Sequence, residues 1–205
     1  MYLYLDIETI PLGEPDPTQV KPPANYKDPE KIYAYQAENA ERIWREGSLD
    51  PMRGRVCAVA MAVDDDPVEA IVFAEEREAL LWIQSCIDDG GWITYNGNRF
   101  DRPFIAKRAA AHGLHALAQA ARPRTPYAPG DLMLTWLMGS REYSGQSLSA
   151  VARFFGIERP KTIDGGEILD AWQEGRWGDI VEHVADDVET LRAVHDRMLA
   201  CGWGE

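Results

Sequence analysis

The chain has 205 residues, 45% hydrophobic and 27% charged, with a formal net charge of −13. These values fit one domain with apolar material enough for a core, or one domain carrying an extra arm, and argue against a protein that coats itself with nucleic acid. No apolar run approaches the ~20 residues that span a bilayer, and the start MYLYLDIETI lacks the basic flank and cleavage site of a secretory signal, so the expectation is a soluble, cytoplasmic protein without a membrane partner.

Residues 2–8 alternate with period two and are rich in strand formers, which predicts a strand ended by Thr9 to Pro11. Tyr2, Tyr4, Asp6 and Glu8 share one face, Leu3, Leu5 and Ile7 the other. From Pro11 to Pro51 the composition changes, because seven of the thirteen prolines fall there. Asp28 followed by Pro29 predicts a helix to about Arg45, so this stretch is read as an arm inserted between the first two strands, at about 11–54 of a single domain spanning 1–205. Runs at 55–63 and 68–74, joined by Asp64-Asp65-Asp66-Pro67, predict a hairpin.

A helix (76–87), a short strand (92–95) and a helix from about Arg102 to His112 follow, and beyond Asp131 the pattern is helical at 132–138, 148–155, 167–173 and 180–199. The expected class is α/β, a mixed sheet of about five strands flanked by helices. Cys57, Cys86 and Cys201 lack CxxC spacing and suit neither a disulfide framework nor a zinc site. From Asn96 to Lys161 ten Lys/Arg face four acids, a local balance of +6 that leaves −19 for the rest. A basic middle suits local gripping of phosphates, and a solvated mixed-charge surface explains it equally well.

Asp6 and Glu8, two apart on one strand face, stand close enough to share a divalent ion, although acid pairs at strand ends are common without one. Asp101 follows a strand, with Pro103 two residues on, a setting that also makes a good N-cap. In the last helix Asp179 and Glu182 are placed to form a capping box, and Ile180, Val184, Val188, Leu191, Val194 and Met198 form an apolar stripe. At ~100° per residue Asp187 falls on that stripe and Asp186 on the polar side. A carboxylate buried there needs a cation or a proton. His183 stands one turn earlier, at the edge of the same face.

Asp-Ile-Glu-Thr at 6–9, Asn-Gly-x-x-Phe-Asp-x-Pro-Phe-Ile at 96–105 and His-x3-Asp-Asp-Val-x-Thr at 183–190 together resemble the three motifs of the DEDD (DnaQ-like) exonuclease superfamily, nearest to predicted exonucleases related to the proofreading domain of family B DNA polymerases. The spacing of His183 to Asp187 departs from the family's histidine type, His-x4-Asp, and matches its tyrosine type, Tyr-x3-Asp. The resemblance implies a ribonuclease-H-like fold and a 3′-to-5′ exonuclease that releases nucleoside 5′-monophosphates from a single-stranded nucleic-acid 3′ end. It implies two Mg²⁺ or Mn²⁺ ions on Asp6, Glu8, Asp101 and Asp187, with His183 orienting or deprotonating the water. Ile7, Thr9, Asn96, Gly97 and Phe100 become candidates for holding the terminal nucleotide, and replication or repair proteins become candidate partners. A non-catalytic binding module of the same fold and an RNA-trimming exonuclease remain the alternatives.

Overall fold

The computed structural model describes residues 1–87, 91–123, 130–140, 144–160 and 162–203. Arg124, Arg141, Glu142 and Lys161 of the basic stretch lie outside the described residues. In chain order the elements are β1 (Tyr2–Pro11), α1 (Pro29–Arg45), β2 (Gly54–Val63), β3 (Glu69–Val72), α2 (Glu76–Cys86), β4 (Gly91–Ile93), α3 (Asp101–Ala111), α4 (His115–Ala121), α5 (Leu132–Leu137), α6 (Leu148–Phe154), α7 (Ile168–Gln173) and α8 (Trp177–Ala200). The protein is α/β. Its mixed sheet has the order β3-β2-β1-β4, with β2 antiparallel to both neighbours and β4 parallel to β1.

The sheet has four strands among the described residues, against the five expected. Where a fifth would stand, Thr94 makes a single parallel bridge to Asp131. Asp131 at once caps α5, its carboxylate accepting from the amides of Met133 and Leu134, so the backbone turns helical before a strand can form. At the other end, β1 does not stop at Thr9. It runs to Pro11, where a proline is tolerated at the close of a strand.

Alternation along β1 divides the core. Leu3, Leu5 and Ile7 pack beneath α2, α3 and α4, against residues such as Leu80, Ile83, Phe104 and Ile105. Tyr4 and Ile10 pack on the opposite face with Val184, Val188 and Leu191 of α8. Asp6 and Glu8 belong to that second face by position, so two carboxylates interrupt the apolar layer between sheet and helix. Beside them the ladder shifts register, since Glu8 pairs with Ala58 and Thr9 with Val56, which leaves Cys57 as an extra residue in β2. The Cys57 thiol points at the Glu8 carbonyl, 3.4 Å away. A bulge of this kind re-aims neighbouring side chains.

The arm forms α1 from Pro29 to Arg45, capped by Asp28 as its sequence predicts. It returns to the end of β1, where the Trp44 indole donates to the carbonyls of Leu12 and Gly13 and the Thr9 hydroxyl donates to Ser48. Helix α4, which no sequence pattern marked, lays Leu117 and Ala121 into the lower core.

A buried ion network ties β2, α2 and α3 together. The Glu76 carboxylate, 5% exposed, accepts from the Val56 amide, from Arg108 at two nitrogens and from His112. Burial pushes the Glu76 pKa up, and its hydrogen bonds from Arg108, Val56 and His112 more than reverse that, holding it below the ordinary value. Glu76→Gln leaves Arg108 buried without its counter-charge, at a cost of about 3 kcal/mol, or roughly 6–12 °C in Tm for a chain this long. Because the folded pKa is depressed, the parent's advantage holds above the carboxylate range and fades as pH falls through it. Thermal melts at pH 7 and pH 4 read both effects, and a variant melting within a degree of the parent at pH 7 contradicts the role given to this network.

Candidate active site

The sequence motifs converge on the α8 face of β1. Glu8 Oε1 lies 3.1 Å from His183 Nε2, which lies 3.7 Å from Asp187 Oδ2. The donor atoms of Glu8, His183 and Asp187 all fall within 4.8 Å of one another. Asp6 is close enough to Asp101, Glu8 and Asp187 that all three raise its pKa. β1 therefore supplies two acids, the start of α3 one, and the middle of α8 an acid and a histidine.

Asp101, whose setting also suits an N-cap, does not cap α3. The capping position belongs to Phe100, whose side chain makes no cap bond, and Asp101 is the first helical residue, 3% exposed. β4 pairs with Tyr2, Leu3 and Tyr4, and among the described residues no strand lies beside the β1 edge beyond them, where the Ile7 amide helps to pull the Asp101 pKa down against its burial. Likewise Asp179 forms no capping box, because α8 begins at Trp177, two residues before it, and Asp179 pairs with Arg176 instead.

The electrostatics follow from crowding. Burial, then Asp101, Glu8 and Asp187, push Asp6 well above the usual carboxylate range, with Arg159 opposing. Asp101 is pushed up to about 7, chiefly by burial, with its own amide and that of Ile7 pulling it down and Asp131 and Glu8 pushing it up. Glu8 is raised by burial against the pull of His183. Burial works to lower the His183 pKa, yet Glu8 and Asp187 overcome it and hold the imidazole above its ordinary value. Several buried carboxylates that resist ionising together form an arrangement that positive charge relieves, and a set of hard oxygen donors suits Mg²⁺ or Mn²⁺. The residues present thus fit divalent cations.

The expected nucleotide contacts fare unevenly. Ile7 is 3% exposed, its side chain in the lower core. Thr9 is buried and tied to Ser48. Asn96, at φ 63°, and Gly97 form the turn before α3, and a Cβ at Gly97 would sit 2.1 Å from Thr94 Oγ1, so the tight packing alone demands glycine. Phe100 is half-buried, its ring 5.6 Å from Phe104.

Three residues near the site carried no signal in the sequence. Asp131, 2% exposed, accepts from the amides of Asn96 and Asn98 and thereby fixes the turn that presents Asp101. Thr162 Oγ1 lies 3.1 Å from His183 Nδ1 and orients the ring. Arg159 donates to Asp187 and, through Nε at 2.9 Å and through Nη2, to Asp186. Asp186 is consequently not on a solvated side of α8, since its side chain is 10% exposed against 22% for Asp187. No pattern within one element could find these partners, because each arrives from a loop distant in sequence.

Residues 46–199 match the family model of the RNase H superfamily. The chain belongs to the RNase H superfamily. No curated protein matches it significantly in sequence. Among solved structures it is similar to the family B DNA polymerase from the hyperthermophilic archaeon Pyrobaculum calidifontis, at 20% identity and a TM-score of 0.61 over 97% of this chain and 24% of that one. The chain spans about a quarter of that polymerase's length, and at this identity the likeness shows the RNase H-like fold. Among the described residues no helix is long and apolar enough to cross a membrane.

Proposed function

We propose that this RNase H superfamily member is a divalent-metal-dependent nuclease, acting as a 3′-to-5′ exonuclease on single-stranded nucleic acid, with DNA the favoured substrate, as one cytoplasmic domain spanning 1–205. The observation that carries the reading is the meeting of Glu8, His183 and Asp187, whose donor atoms lie within 4.8 Å of one another, with Asp6 raised by Glu8 and Asp187 and Asp101 raised by Glu8 beside them. The similarity to a DNA polymerase supports the choice of DNA, and free Cys57, Cys86 and Cys201 suit a reducing compartment.

Two divalent ions would be held by Asp6, Glu8, Asp187 and Asp101, and when bound they supply the positive charge that activates water near pH 7 and stabilises the departing oxygen. The chain's own residues do the rest. His183, steadied by Thr162 at Nδ1, presents Nε2 to the gap between Glu8 and Asp187, where it orients the water or takes its proton. The water oxygen bonds to phosphorus, the bond to the 3′ oxygen breaks, and that oxygen takes up a proton. The products are a nucleoside 5′-monophosphate and a strand one nucleotide shorter.

Purified protein incubated with 5′-labelled single-stranded DNA and RNA should yield a descending ladder with Mg²⁺ or Mn²⁺ and intact strands with EDTA, the DNA shortening faster. Intact strands under every condition refute the enzymatic reading. A 3′-labelled strand that loses its label only after internal cuts refutes the exonucleolytic one.

A further inference from the structure

A groove of about 590 Å³ opens to the surface beside the acid cluster, its wall lined by His183, Ser149, Arg153 and Arg159 and also by the acids Glu158 and Asp164. Arg159 is the part of this wall that meets the candidate cation ligands. Its guanidinium is 17% exposed, with Nε and Nη2 on Asp186, Nη2 also on Asp187, and Nη1 on the Ser149 hydroxyl at 2.7 Å, which uses four of its five N–H groups. Arg153, one α6 turn beyond Ser149, is exposed farther along the same wall.

A purely structural pair would need only one carboxylate. Asp186 alone balances the Arg159 charge and anchors the loop that follows α6, yet the guanidinium also reaches Asp187, the ligand that faces the cluster. Asp6, Glu8, Asp101 and Asp187 carry four negative charges that two divalent ions would cancel, and the polynucleotide then brings further negative charge. A second cation at the rim is what such a strand requires. Arginine suits the place better than lysine, because its rigid fork keeps donors on the carboxylates while another meets a phosphate. The groove joins the cluster to a longer wall, since His183, Arg159 and Arg153 all line it.

We propose that Arg159 binds the backbone phosphate on the 5′ side of the cleaved linkage, that Arg153 attends the backbone farther along the groove, and that Asp186 is a positioning residue that holds the Arg159 guanidinium at the cluster's rim. The proposal rests on the nuclease reading and names the feature that makes a polynucleotide a better substrate than a single nucleotide ester. The recognised chemistry is the phosphodiester backbone, which DNA and RNA share.

The test has a binding arm and a kinetic arm, both on the full chain, with circular dichroism melts confirming that each variant folds. Binding is read by fluorescence anisotropy of labelled single-stranded DNA and RNA 15-mers, phosphorothioate-linked to slow turnover, in Ca²⁺ across a salt series. Arg159→Ala should weaken binding about 10-fold or more and Arg153→Ala about 3-fold, each lowering the salt slope by roughly 0.7 to 1. Arg159→Lys should recover part of the affinity, because the charge returns without the fork. Asp186→Asn should weaken binding less than Arg159→Ala.

The kinetic arm compares a 5′-labelled oligonucleotide with the p-nitrophenyl ester of thymidine 5′-phosphate, which has a cleavable phosphate and no neighbour on that side. Arg159→Ala should raise KM for the oligonucleotide, with a loss in kcat/KM at least about 10-fold greater than on the ester. Equal losses on both substrates would mean that Arg159 only orients Asp187, and parental affinity with a parental salt slope would mean that it touches no phosphate. Either overturns the proposal, as does a parent that binds neither strand. A parent that binds both strands yet cleaves neither substrate sinks the nuclease reading, while the salt slopes still decide the role of Arg159. Preference for one strand over the other settles the sugar.

Discussion

Asp6→Ala is expected to abolish divalent-dependent turnover while leaving the protein at least as stable as the parent. Asp6 lies at the middle of the cluster, the one carboxylate raised by Asp101, Glu8 and Asp187 together, so its removal costs both proposed cation sites a shared ligand. Loss of cation-based stabilisation amounts to several kcal/mol, which corresponds to a fall in kcat of at least about 10³-fold. Stability moves the other way. A carboxylate whose folded pKa lies above its unfolded value adds stability below the unfolded pKa, and that contribution is lost as pH rises through the folded one. For Asp101, raised to about 7, the window runs from about 4 to 7. Removing Asp6 relieves part of this repulsion, so the cation-free variant should melt above the parent at pH 7, by about 2–4 °C for each kcal/mol relieved, with the gap closing towards pH 4. Mn²⁺ should raise the parent's Tm far more than the variant's. Turnover retained in Asp6→Ala would remove the proposed site.

Asp187→Asn is the second large effect. The substitution preserves shape and removes the charge that faces Glu8 and His183, and kcat should fall about 10³-fold with the fold intact. Its neighbour is the internal control. Asp186 meets Arg159 and not the cluster, so Asp186→Asn should act through strand affinity and leave kcat at saturating substrate within a few-fold of the parent. His183→Ala should cost roughly 10²-fold in kcat if the imidazole handles the water. Mn²⁺ binding by calorimetry should survive that change, since His183 is given no bond to a cation. A dead Asp186→Asn beside an active Asp187→Asn would show that the wrong turn of α8 has been assigned to the site, and lost Mn²⁺ binding in His183→Ala would make the histidine a ligand.

The parts of this fold legible in the sequence are those set by local pattern. Period-two alternation gave both faces of β1, Asp28-Pro29 gave the start of α1, and the 3.6-residue stripe from Ile180 to Met198 gave the buried side of α8, every member of which is fully buried. Ends set by tertiary context were misplaced. The pattern of Asp101 with Pro103 also suited a cap, but α3 begins at Asp101 itself, with Phe100 in the capping position. Asp186 looked solvated for the same kind of reason, because the helical wheel of α8 carries no record of the loop that brings Arg159 over it. The candidate acids were legible through spacing, whereas Asp131, Thr162 and Arg159, which hold them in place, interact across 33, 21 and 27 residues and leave no local trace.

The narrow pairing of β4 gives the site an uneven mechanical foundation. Asp6, Glu8 and Asp187 ride on β1 and α8, whose amides open only when the whole core does, and they should exchange with deuterated solvent at rates near the limit set by global unfolding. Asp101 opens α3, and the chain reaches it through a three-residue strand, one bridge at Thr94, and a turn whose amides Asp131 holds. That edge is expected to open more readily than β1 and α8. Amides from Asn96 to Asp101 should therefore exchange well before those of Asp6 and Glu8, so that a protein which is almost wholly folded still spends part of its time with an incomplete set of carboxylates.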